Sequence, residues 1–112
     1  MVAKVCPNVW LNLCWSHSLS APMTRSALDE WLDLVAVNKI IAFGGDTHLW
    51  VEWSVGDLIQ ARENVAWVLA RRTSDGLMNE EQAIDFAHLM FYENPADLYD
   101  LGRPGLDDFC YE

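Results

Sequence analysis

The sequence predicts an α/β fold: two parallel strands joined by a helical crossover, with further helices after them. Three observations carry that expectation. Residues 8–16 form a short apolar run with bulk on both faces, residues 24–35 carry an amphipathic stripe, and residues 39–46 form a second apolar run that ends at a glycine pair. Strand, helix and strand in that order make a right-handed parallel crossover the default, because a tight hairpin cannot join parallel strands.

The first run, Asn-Val-Trp-Leu-Asn-Leu-Cys-Trp-Ser, follows Pro7 and is rich in strand-forming residues. With a two-residue period, Val9, Leu11, Leu13 and Trp15 share one side, while Trp10, Asn12, Cys14 and Ser16 share the other. Bulk on both sides predicts a strand covered on both faces, as in parallel sheets. After the turn residues Ser18, Ser20 and Pro22, the positions of Leu28, Trp31, Leu32 and Val35 at i, i+3, i+4 and i+7 predict a helix, with Asp29, Glu30 and Asp33 off its apolar stripe. The second strand is Lys-Ile-Ile-Ala-Phe-Gly-Gly-Asp.

Beyond a short loop, Leu58, Ala61, Val65, Val68 and Leu69 predict a helix over residues 57–72, with Arg71 and Arg72 near its negative end and Asp75-Gly76 as its stop. Asn79-Glu-Glu-Gln82 has the form of a capping box, and Ala83, Phe86, Ala87 and Met90 continue it as another helix. Asn94-Pro95 predicts the start of a last helix through Leu101. Residues 102–112 read as an irregular tail. No repeat or linker divides residues 1–112, which form a single segment.

Composition excludes several partners. The 112 residues hold 7 Lys plus Arg against 17 Asp plus Glu, a formal net charge of -10. Nucleic acid is bound chiefly by cations that displace counterions from phosphate, and an anionic membrane surface attracts basic clusters, so neither is an expected partner. No apolar run approaches the roughly 20 residues that span a bilayer. Cys6, Cys14 and Cys110 are odd in number and contain no C-x-x-C pair, which predicts reduced thiols and a cytoplasmic location, and no secretory signal opens the sequence.

Asp46 is the most suggestive candidate for chemistry. It closes the second strand after Gly44 and Gly45, and Ile40, Ala42, Gly44 and Asp46 share one face that shrinks toward a carboxylate. Such a face suits the mouth of a small parallel barrel, where chemistry sits at the carboxyl ends of the strands. His17 ends the first strand and falls on the same rim if the strands are parallel neighbours, a placement that suits it to bind substrate. His48 and Glu52 follow in the loop and line the same mouth. Cys14 and His17 make no ligand pair, since residues three apart on a strand face opposite sides. The acidic groups Asp97, Asp100, Asp107 and Asp108 lack the spacing of a calcium loop.

Three stretches, Asn-Val-Trp-Leu-Asn-Leu-Cys-Trp-Ser-His, Leu-Asp-Glu-Trp-Leu and Asn-Lys-Ile-Ile-Ala-Phe-Gly-Gly-Asp, resemble the last part of the amidohydrolase superfamily barrel, in its amidohydrolase-2 and uronate-isomerase-like branch. Ala61-Arg-Glu-Asn64, Asn79-Glu-Glu-Gln-Ala83, Glu93-Asn-Pro95 and Leu98-Tyr99 continue the likeness, which covers residues 7–101. The resemblance implies strands seven and eight of a TIM barrel with their helices, followed by the carboxyl-terminal helices. It also implies that Asp46 contacts a catalytic divalent metal, zinc or manganese, or takes a proton from its bound water, with a small-molecule substrate hydrolysed at a polarised carbonyl. Some relatives isomerise sugar acids instead.

The family's His-x-His pair and middle-strand ligands have no counterpart here, and a full barrel needs about 250 residues. The expectation is therefore a partial barrel, inactive alone and holding no metal tightly. Trp10, Trp50 and Trp53 would have lost their cover, which predicts a homo-oligomer or a complementing barrel fragment as partner. The alternative is a non-catalytic α/β interaction or self-association module.

Overall fold

Helix dominates over sheet. In the computed structural model, which describes residues 2–102, the elements are α1 (Val2–Val5), β1 (Leu11–Asn12), α2 (Ser16–Leu19), α3 (Ala21–Leu34), a 3-10 turn (Val37–Lys39), β2 (Ile40–Ile41), α4 (Val51–Ser74), α5 (Glu80–His88), a π-helical turn (Leu89–Glu93) and α6 (Asn94–Leu98). The predicted irregular tail lies, apart from Gly102, outside the described residues.

The predicted α/β partial TIM barrel is thereby corrected. The two apolar runs do pair in parallel, with Leu11 opposite Ile40 and Asn12 opposite Ile41. Their ladder goes only a little further. Leu13 donates its N–H to Ile41 at 3.0 Å, and Trp15 donates to Gly44 at 2.8 Å. The second chain advances three residues where the first advances two, an extra residue of the kind that forms a bulge. Trp15 then takes a left-handed conformation, φ 62°, and the chain turns into α2.

Helical groups close the other edge of β2, which is why no third strand joins it. Residues 40 and 42 point their backbone groups to the same edge of the strand. There Asn94 donates from Nδ2 to the Ile40 carbonyl at 2.7 Å, and Ala42 donates its N–H to the Met90 carbonyl at 3.0 Å. Met90 can accept because of Pro95. Proline has no N–H to give, and the N–H of Asn94 is already spent on Leu89 in the π-helical turn. A carbonyl released within one helix thus satisfies a strand.

The core lies where β2 meets α3, α4 and the π-helical turn, with Leu13, Leu28, Ile40, Val65, Val68 and Met90 buried together. The predicted stripes fill it. Leu28 of α3 and Ala61, Val65, Val68 and Leu69 of α4 are all buried, each of the larger ones contributing on the order of 1.5–3 kcal/mol of transfer free energy. Ile40 and Ile41 are both buried, so β2 is covered on both faces. In contrast, β1 is covered on one face only, with Leu13 buried and Asn12 and Cys14 exposed.

Caps set the helix ends. Ser20 accepts from the Met23 N–H, with Pro22 in the first turn, so α3 begins three residues before the predicted Thr24. The capping box forms as the sequence predicts, Gln82 N–H to Asn79 Oδ1 at 2.8 Å and Asn79 N–H to Gln82 Oε1 at 3.0 Å. Lys39 ties down the amino-terminal turn through the carbonyls of Ala3 and Cys6, each at 2.6 Å. Asn94, expected to cap the last helix, is instead committed to β2 and to the Val37 carbonyl.

Candidate functional site

The carboxyl ends of β1 and β2 form one rim, and the backbone there is tightly drawn. A Cβ on Gly44 would lie 2.9 Å from Sγ and 3.0 Å from Cβ of Cys14, so only glycine permits this approach. Asp46 follows with φ 47°, a left-handed conformation that aspartate tolerates better than most residues. Its side chain is exposed. Burial, and then the Asp46 carboxylate, push the Cys14 thiol up from its ordinary value.

His17 is 3% exposed and both its ring nitrogens have partners. Nε2 lies 2.7 Å from the Ala42 carbonyl, and Nδ1 lies 3.3 Å from Nδ2 of Asn64. A carbonyl can only accept and an amide nitrogen can only donate, so the network assigns the proton to Nε2. Asn64 in turn accepts from Nε of Arg25 at 2.8 Å, and the Arg25 guanidinium lies over the Trp67 ring at 4.9 Å. A polar relay therefore joins Ala42, just past β2, to α2, α4 and α3. His17, expected at the mouth as a substrate ligand, sits inside that relay.

His48 is exposed in the segment between β2 and α4 and borders a shallow hollow of about 190 Å³ with Thr47 and Trp50. Glu52, expected in a loop, belongs to the first turn of α4, which starts six residues before the predicted boundary. Among the described residues no group of three or more His, Cys, Asp or Glu side chains is placed to hold a metal ion. A catalytic metal takes at least three protein ligands, so these residues do not fit one by themselves.

A second groove on this rim went unread in the sequence. It measures about 380 Å³ and is lined by Trp15 and Ser18 from the end of β1 and α2, Thr47 from the following segment, and Glu52, Trp53 and Asp57 from α4. Hydrogen bonds from Ser18 to Asp57 and between Thr47 and Ser54 knit its sides. The signal was present: Trp53, Gly56, Asp57 and Gln60 are spaced i, i+3, i+4 and i+7, one face of a helix. Starting the helix at Asp57 hid it.

No protein-family model matches the chain, and no curated protein or solved structure matches it either. Chemically, the rim offers one exposed carboxylate, Asp46, able to accept a proton or approach a cation. The neighbouring groove offers aromatic walls with two more carboxylates.

Proposed function

We propose that the chain is the carboxyl-terminal segment of a metal-dependent amidohydrolase-type hydrolase, in which Asp46 serves as proton acceptor or metal contact, and that it has no hydrolase activity by itself. One observation carries this: Asp46 stands exposed just past the carboxyl ends of a parallel strand pair. The motif residues from Asn8 to Asp46 and from Ala61 to Tyr99 support the same origin. Zinc or manganese and the remaining ligands would have to come with residues outside this set. Glu52 and Asp57 beside the rim favour a hydrolase over a sugar-acid isomerase, because they repel an anionic substrate. The odd number of cysteines without a C-x-x-C pair supports a cytoplasmic location, and no helix among the described residues is long and apolar enough to cross a membrane.

Elemental analysis of the chain purified from zinc- and manganese-supplemented medium tests the first half. Far less than one equivalent of either metal is expected; a tight equivalent lost in Asp46→Ala would overturn the claim of an incomplete site. Sequencing the DNA upstream tests the second half. A reading frame encoding His-x-His in register is expected, and unrelated sequence there sinks the hydrolase origin.

A second function has its own support. Trp15, Trp50 and Trp53 are all more than half exposed near one rim, which suits a non-catalytic module that associates with a second copy. With a net charge of -10 the copies repel, so association would strengthen with salt. Light scattering after size exclusion that shows a monomer at every salt and protein concentration removes it.

A further inference from the structure

Two indoles and two carboxylates face the 380 Å³ groove beside the strand ends. Trp15 is 52% and Trp53 58% exposed, so neither ring is covered by the fold. Trp15 holds this position from a left-handed backbone, pinned by its 2.8 Å hydrogen bond to Gly44. An aromatic residue in that conformation is costly. Its cost is borne where the indole borders an open groove and not where it fills the core.

The polar groups of the groove are selective in kind. Ser18 spends its hydroxyl proton on Asp57, and Thr47 pairs with Ser54. What remains toward a ligand is the negative charge of Glu52 and Asp57 and the faces of two electron-rich rings, beside the neutral donors of Gln60, the indoles and one hydroxyl of the Thr47–Ser54 pair. Gly56 leaves the floor open, since a Cβ there would meet nothing within 4 Å. Two carboxylates with no Lys, Arg or His among the lining residues disfavour an anion. Aromatic faces with nearby carboxylates attract a weakly hydrated cation.

We propose that this groove is a binding site for a small organic ammonium ion carrying methyl groups, its cationic head against Trp15 and Trp53 and its charge balanced by Glu52 and Asp57. The site needs only the side chains of this groove, and it stands whether or not the chain derives from a hydrolase.

The test titrates choline, and separately its uncharged isostere 3,3-dimethylbutan-1-ol, into the full chain labelled with nitrogen-15, following the indole N–H resonances assigned with Trp15→Phe and Trp53→Phe. Choline is expected to shift the Trp15 and Trp53 signals while leaving Trp67, which is occupied by Arg25 and Arg71, in place. The alcohol is expected to shift neither. The double variant Glu52→Gln, Asp57→Asn should bind choline about fivefold more weakly, the scale of losing two exposed charge pairs. Gly56→Leu should fill the groove and abolish binding, and because that site is open in a helix interior the variant keeps its fold. Equal response to the alcohol, unchanged choline affinity in Gly56→Leu or in the double variant, or no shift of either indole by choline overturns the proposal.

Discussion

Nε2 of His17 lies 2.7 Å from the carbonyl oxygen of Ala42, a residue wholly removed from solvent, so one imidazole supplies the donor that a neighbouring strand would otherwise give. The consequence is energetic. His17→Ala leaves the Ala42 carbonyl and Nδ2 of Asn64 without these partners, and an orphaned buried polar group costs about 1–3 kcal/mol. A loss of about 2 kcal/mol in urea unfolding with an unchanged m-value is expected, and His17→Gln, which keeps a donor, should recover part of it. Were His17 only a substrate ligand, His17→Ala would be as stable as the parent chain.

Asn94 has a similar duty at the same edge. Its amide donates 2.7 Å to Ile40 and 2.8 Å to Val37, and the side chain is buried. Asn94→Asp keeps the shape but loses the donor group and places acceptor oxygens against two carbonyls. It should destabilise more than Asn94→Ala, which itself should cost about 2 kcal/mol. Hydrogen exchange checks the location: the Ala42 amide, bonded to Met90 across the same edge, should exchange faster in both variants. Unchanged protection at Ala42 would show that the edge is held independently of Asn94.

Gly44 is fixed by contact with Cys14. The added Cβ of Gly44→Ala would stand 2.9 Å from Sγ, 3.0 Å from Cβ and 3.3 Å from Cα of Cys14, and the last of these is backbone that cannot swing aside. Overpacking of this kind costs about 1–3 kcal/mol. Cys14→Gly removes the two nearer atoms, so the double variant should recover much of the loss, a coupling measurable as a thermodynamic cycle. Additive effects of the two substitutions would mean that the strands can part without cost at this point.

The sequence made the local signals legible and hid the edges. The stripes of Leu28 in α3 and of Val65, Val68 and Leu69 in α4 and the capping box at Asn79 follow from period and capping chemistry, and the parallel sense of the two apolar runs from the helix between them. The length of the sheet does not. It ends because Pro95 frees a helical carbonyl and because Asn94 and His17 turn inward, and each of these depends on contacts between residues more than 20 apart. Asp46 was legible as an exposed strand-end carboxylate. His17 reads as a rim residue from its place at the end of the first run, but positive φ at Trp15 turns the chain into a helix there and the imidazole is buried.

Arg72 joins α4 to α3 by donating to Asp29 at 2.7 Å and also to Asp33, with its own side chain almost fully covered. The hydrogen bond from Arg72 holds the Asp33 carboxyl below its ordinary value; burial opposes this slightly, and the arginine charge adds to it. A carboxyl depressed in the folded state contributes stability that is fully present above its unfolded value, about 3.9, and is lost as pH falls through the lower folded one. Arg72 is shifted up, chiefly by Asp33, but stays charged throughout, so the pH dependence belongs to the carboxyl. Urea midpoints should therefore fall more steeply below about pH 4 in the parent chain than in Asp33→Asn. Because the pair is exposed on the Asp33 side, added salt should reduce that difference. Parallel acid limbs for the two proteins would show that this bridge orients Arg72 without adding to stability.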